Sequence, residues 1–148
     1  MILRFTQLAR RSAVAAAVGA AACGGSDKTP TDNGPPAPVS TAVTINGTTL
    51  SATIAATCAA RTQGLSGVTT LATDAGMLFV FADDRQRAFW MKDTPIALSI
   101  AFMDASRKVV FLDDMAPNTL TQHGGLNAPQ MRYALETRQG CLASPGAT

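Results

Sequence analysis

The stretch "IALSIAFM" (96–103) sets Ile96, Leu98, Ile100 and Phe102 on one side and Ala97, Ser99 and Ala101 on the other. Apolar residues at every second position suit an extended strand with one hidden face, not the stripe of a helix. The same period governs "TAVTINGTTLSATIAAT" (41–57). There Val43 and Ile45 alternate with threonines, the chain turns at Asn46-Gly47, and Leu50, Ala52, Ile54 and Ala56 resume. Asn-Gly between two alternating runs predicts a hairpin, because both residues tolerate positive φ. "GMLFVF" (76–81) reads as a buried strand, "DDRQR" (83–87) as a polar turn and "AFWM" (88–91) as a returning strand. "DASR" (104–107) turns into the strand "KVVFL" (108–112), and "MRYALET" (131–137) is the last clear strand. Residues 58–63 suit a short helix, with Thr57 as N-cap and Gly64 as terminator. "LSGVTTLATDA" (65–75) and residues 113–130 show no firm period and read as loop. The prediction is a mainly β domain, a small antiparallel sandwich or jelly-roll-like barrel with one short helix.

The N-terminal segment reads as an address. "MILRFTQLARRS" carries Arg4, Arg10 and Arg11 and no acid, and "AVAAAVGAAA" (13–22) is a short apolar run ending in small residues before Cys23. That order is the order of a secretory signal, far short of the roughly 20 apolar residues that span a bilayer. Residues 1–22 are therefore expected to be a signal peptide. "AAAC" followed by "GG" resembles a bacterial lipobox, with Ala20 where the pattern prefers Leu. The resemblance implies a lipidated Cys23 that anchors the chain to a membrane of the cell envelope; an ordinary signal peptide with an incidental cysteine is the other reading. Residues 23–40 have linker composition, rich in Pro, Gly, Ser and Thr. Residues 41–148 then suffice for one domain and one core. The whole chain is +2, yet with the signal removed nine bases face ten acids. No basic stripe is left for a phosphate backbone, so nucleic acid is not expected as a partner.

The strings "GL" (64–65), "AGMLFVF" (75–81), "FWMKDTPIAL" (89–98), "IAF" (100–102) and "YALE" (133–136), followed by Gly140, resemble the bacterial and archaeal family DUF192, also called UPF0127. The likeness covers roughly residues 50–140. It implies a compact, mainly β, often exported domain of jelly-roll-like character, and it implies no known activity. Val68 and Ser99 stand where the family usually has an arginine and an aspartate, and Ser66 replaces a methionine. If that arginine and aspartate pair in relatives, residues 68 and 99 should lie near each other. The chain also stops at "GCLASPGAT", where relatives commonly continue into a further strand.

Lys92, Asp93 and Thr94 interrupt the most apolar stretch, between Trp90 and Pro95. They suit a ligand pocket, offering a cation, an acceptor and a hydroxyl beside an aromatic platform. The favoured reading of the three is nevertheless a β-turn with solvated polar groups, and Trp90 is expected in a core position. Glu136, the one glutamate, completes the candidate ligand-binding set of Trp90, Lys92, Asp93, Thr94 and Glu136. The methionines and His123 show no close metal-ligand spacing, and His123 in "TQHGG" reads as a solvated loop residue. No metal and no cofactor is expected. With Cys23 lipidated, Cys58 and Cys141 are the two remaining thiols, and export predicts a disulfide between them. The expected function is a cell-envelope lipoprotein that binds a ligand or a partner protein. An enzyme acting on envelope material, with Glu136 or His123 as acid/base and Lys92 as anion partner, is the alternative; an accessory without a small-molecule site is the third.

Overall fold

The computed structural model describes residues 4–6 and 38–142. Cys23, and nearly all of the expected signal peptide and linker, lie outside the described residues. The strands are β1 (Arg4–Thr6), β2 (Ser40–Ile45), β3 (Thr48–Ala55), β4 (Ala75–Arg85), β5 (Ala88–Phe89), β6 (Leu98–Met103), β7 (Val109–Met115), β8 (His123–Gly124) and β9 (Met131–Arg138). One α-helix, α1 (Cys58–Gln63), and one 3₁₀ turn, Gly125–Asn127, complete the elements. The class is mainly β with one short helix, as the sequence predicts.

Local signals placed the first elements. Asn46 and Gly47 take φ of 49° and 80°, closing the β2–β3 hairpin through a two-residue loop. The Thr57 hydroxyl accepts from the Ala60 amide at 3.1 Å to cap α1, and Gly64 ends the helix with φ 50°.

Seven strands form one sheet in the order β1-β2-β3-β4-β9-β6-β7, and β5 pairs separately with β8. The sheet is mixed rather than wholly antiparallel, and it does not close into a barrel. β3 and β4 are parallel, which needs a crossover, and α1 lies in it. β1, from the segment expected to be removed as a signal, adds to the outer edge of β2. The last strand, β9, enters the middle between β4 and β6.

A central strand is buried on both faces. Every residue of β6 is buried, Ser99 and Ala101 included, although the sequence alternates. One face carries a core of Phe79, Met91, Leu98, Ile100, Phe102, Met115, Met131 and Ala134. The other carries Val43, Ile45, Leu50, Leu78, Ala101, Met103, Leu135 and Leu142. Phe79, Phe89, Phe102 and Phe111 form a chain of ring contacts with centroids 5.0–5.5 Å apart, which ties the β5–β8 ribbon to the first core.

The polar turn expected at 83–87 is shorter, because β4 runs on to Arg85. There Asp84 takes Arg132 of β9 in a two-point ion pair, and Asp83 takes Arg85 and Arg87. The returning strand shrinks to Ala88–Phe89 and pairs with β8, inside the region read as loop.

The expected Cys58–Cys141 disulfide is not formed; both thiols are free. Ala55 lies beside Phe79 and Gly76 lies beside Thr137, so β3 ends, before Cys58, next to the middle of β4, whereas β9 ends, before Cys141, next to its start. At about 3.3 Å per residue, the three-residue step from Gly76 to Phe79 spans about 10 Å. That exceeds the roughly 7 Å limit for bridged Cα atoms. Cys141 Sγ instead sits 3.5 Å from the Thr73 carbonyl. Val68 and Ser99 are likewise on different faces. Val68 packs on the Phe79 core, while the alternation of β6 turns Ser99 away, where it donates to Asp114 and accepts from the Gly140 amide.

Candidate functional site

On the Phe79 face, α1 and the turn after β5 stand apart and leave a cleft of about 660 Å³. Its apolar wall comes from Leu65, Phe79, Phe81, Phe89, Met91 and Leu98. All five residues singled out from the sequence, Trp90, Lys92, Asp93, Thr94 and Glu136, line it. The cleft also includes Cys58 and two cations that the sequence did not single out, Arg61 and Arg87.

The turn reading of "MKDT" holds, and the same residues line the cleft. Thr94 N–H donates to the Met91 carbonyl at 3.1 Å, closing a β-turn with Asp93 at φ 55°. The Asp93 and Thr94 carbonyls accept from Gly67 and Asn118, so neighbouring loops hold the turn rigid. Met91 plugs the core at 1% exposure, and Lys92 and Asp93 project outward with Nζ and Oδ2 3.9 Å apart. Thr94 departs from the expected surface position: it is buried, its hydroxyl 3.3 Å from the Lys92 carbonyl. Trp90 is 57% exposed at the rim. A core role for it is excluded, and an aromatic platform remains.

Glu136 lies at the floor. It is on central β9, between Met77 of β4 and Ile100 of β6, and is 5% exposed. Among the described residues, no side chain or backbone group hydrogen-bonds its carboxyl. Burial alone pushes it up from its ordinary 4.5 to about 8, so at neutral pH it is a protonated acid. It then offers an O–H donor and a carbonyl acceptor to anything entering the cleft.

The two arginines bracket Phe81, with guanidinium carbons 5.2 Å and 3.9 Å from the ring centroid. Arg87 is committed to Asp83 and to the carbonyls of Asp83, Arg85 and Met131. Arg61 uses one nitrogen, Nη1, on the carbonyls of Ala56 and Val80.

His123 is outside the cleft and is not the solvated loop residue expected. It is buried on β8, with Nδ1 2.7 Å from Asp113 Oδ2 and Nε2 enclosed without a hydrogen-bond partner. The contact with Asp113 docks β8 onto β7.

A profile of the DUF192 family, described as "Uncharacterized ACR", matches residues 41–147. The chain belongs to the DUF192 family. Two solved structures are similar to this DUF192 domain. A protein of unknown function from Novosphingobium aromaticivorans DSM 12444 aligns with TM-score 0.63 and 27% identity, covering 75% of this chain and 79% of that one. A Sinorhizobium meliloti 1021 protein, described as a "putative transcription regulator", aligns with TM-score 0.60 and 26% identity, covering 64% and 72%. No curated protein matches the chain.

Proposed function

We propose that this DUF192 protein is a cell-envelope lipoprotein, exported by residues 1–22 and anchored through Cys23, whose domain binds a small ligand in the Trp90–Glu136 cleft. The observation that carries the binding reading is Glu136, a carboxyl only 5% exposed that opens on the floor of the cleft and has no hydrogen-bond partner among the described residues. Buried polar groups are ordinarily paired, and an unpaired one is retained at a cost of about 1–3 kcal/mol. A ligand that completes its hydrogen bonds recovers that cost. The exposed Trp90 and the rigid turn supply a stacking surface and an oriented rim.

An enzyme is the second reading, favoured by one observation. A carboxyl held near 8 is protonated at neutral pH and suits a general acid, with Lys92 and Arg61 lining the same cleft as cations for developing negative charge. His123 is no longer a candidate for that role. The description of the Sinorhizobium protein points towards nucleic acid, but residues 38–142 here hold eight bases against eight acids, which argues against a phosphate-backbone partner.

The test is a ligand screen by thermal shift and by fluorescence of Trp90, the single tryptophan. Hits should raise the melting temperature, perturb Trp90 emission and weaken on Lys92→Ala. Hits that stabilise the protein without touching Trp90 emission would place binding elsewhere. Mass spectrometry of the N-terminal peptide from membrane fractions should find diacylated Cys23. A membrane-free chain beginning beyond Cys23 would refute the anchor.

A further inference from the structure

Resting on the cleft as a binding site, we infer that its ligand is a ring compound carrying an anionic oxygen group, a carboxylate or a phosphate ester, held by Arg61, with the ring on Trp90 and a neutral acceptor at Glu136.

The charges that line the cleft are Arg61, Arg87, Lys92, Asp93 and Glu136. Arg87 is neutralised by Asp83, and Lys92 lies 3.9 Å from Asp93. Arg61 is the one cleft guanidinium with no carboxylate partner among the described residues. Because Nη1 is spent on two carbonyls, the edge left free is Nε with Nη2. Those two N–H groups are parallel and form a fork that matches two oxygens of a carboxylate or phosphate. Cation–π contact with Phe81 fixes the guanidinium plane before any ligand arrives, so little entropy is lost on binding. An anion there also has Lys92 at the rim.

The other end of the cleft is uncharged. Glu136 stands beside Met77, whereas Arg61 bonds the Val80 carbonyl three residues further along β4. At about 3.3 Å per residue the two polar ends are roughly 10 Å apart. The surface between them is apolar, from Phe79 and Phe81. A neutral carboxyl group at the floor favours an amide or hydroxyl of the ligand and would repel an anion once ionised. The ligand is therefore ordered end to end: anion at α1, ring across the middle, neutral acceptor at β9.

The titratable and charged groups facing Glu136 are Cys58 and Arg61 from α1, Arg87 after β4, and Lys92 and Asp93 from the turn; β6 presents Leu98 and Ile100. Working in Cys58→Ser removes the thiol from the cleft. The probes are 4-acetamidobenzoate, its neutral amide 4-acetamidobenzamide, and 4-acetamidophenyl phosphate, titrated against Trp90 fluorescence.

An anion should bind at least about tenfold tighter than the amide, and the tighter of carboxylate and phosphate identifies the group. Arg61→Gln should erase that preference, and Lys92→Gln, at an exposed position, should halve it or more without touching the fold. Between pH 7 and pH 9 anion affinity should fall about tenfold, as Glu136 ionises, and Glu136→Gln should flatten that fall. An amide that binds as tightly as the acids would overturn the anionic ligand while leaving the cleft as a binding site. Anion binding unchanged in both Arg61→Gln and Lys92→Gln overturns it too, as does no Trp90 response to any of the three probes. In that last case the cleft itself still stands or falls on the open screen.

Discussion

Replacing Glu136 by glutamine removes an ionisable group and keeps its shape. In the folded protein burial holds the carboxyl up to about 8, against an ordinary 4.5. Between those two values the unfolded chain has released its proton and the folded chain has not. The unfolded state binds fewer protons there, so stability falls as pH rises, by about 1.4 kcal/mol per pH unit. The accumulated loss is roughly 3 kcal/mol at pH 7 and 4–5 kcal/mol from pH 8 upward. Glutamine carries none of that pH dependence, but it buries an amide without a partner at about 1–2 kcal/mol. The variant should therefore equal or slightly trail the wild type at pH 5 and lead it by about 2–3 kcal/mol at pH 8. For a domain of this size that lead corresponds to a Tm higher by on the order of 10 °C. Urea unfolding followed by circular dichroism at pH 5, 6, 7 and 8 measures it, and the difference between the two proteins cancels groups common to both. If the two stability profiles run parallel across that range, Glu136 is not a neutral buried acid and the description of the cleft floor is wrong.

Gly124→Ala should destabilise by at least about 3 kcal/mol. Gly124 sits at φ 90°, and a Cβ there would meet the Arg87 carbonyl and the Phe102 ring at 2.5 Å, a clash visible as a fallen Tm and exposed aromatic surface. Trp90→Ala should change stability by less than about 1 kcal/mol, because the ring is exposed, yet cost any cleft ligand about tenfold in Kd by calorimetry. Both Cys58 and Cys141 should react as thiols, Cys58 without denaturant since it is exposed; a mass two hydrogens short under non-reducing conditions would contradict the free state.

How much of this was legible in the sequence depends on the range of the interaction. The β2–β3 hairpin and α1 rest on contacts within a few residues, and Asn46-Gly47, Thr57 and Gly64 announce them. Period two identified the strands but not their partners, so the parallel β3–β4 pairing and the central place of β9 could not be read. That place is why Glu136 is buried. In "YALET" it follows apolar residues and looks like an exposed strand position, and nothing local says that strands flank it on both sides. The rim was legible as composition, since "WMKDT" brings an aromatic, a cation and a turn together. Arg61 was hidden because it reads as a helix former, and only the tertiary fold puts its guanidinium against Phe81. The disulfide failed for a related reason: counting thiols cannot report that β3 and β9 end at different points along β4.

The most direct test of the cleft is ¹⁵N–¹H shift mapping of a bound ligand on the assigned protein. Binding should move the Trp90 indole resonance and the amides of Gly64–Ser66 and Ala88–Thr94, and leave the Val43–Leu50 face unchanged. Shifts centred on that opposite face, with the Trp90 indole still, would contradict the assignment.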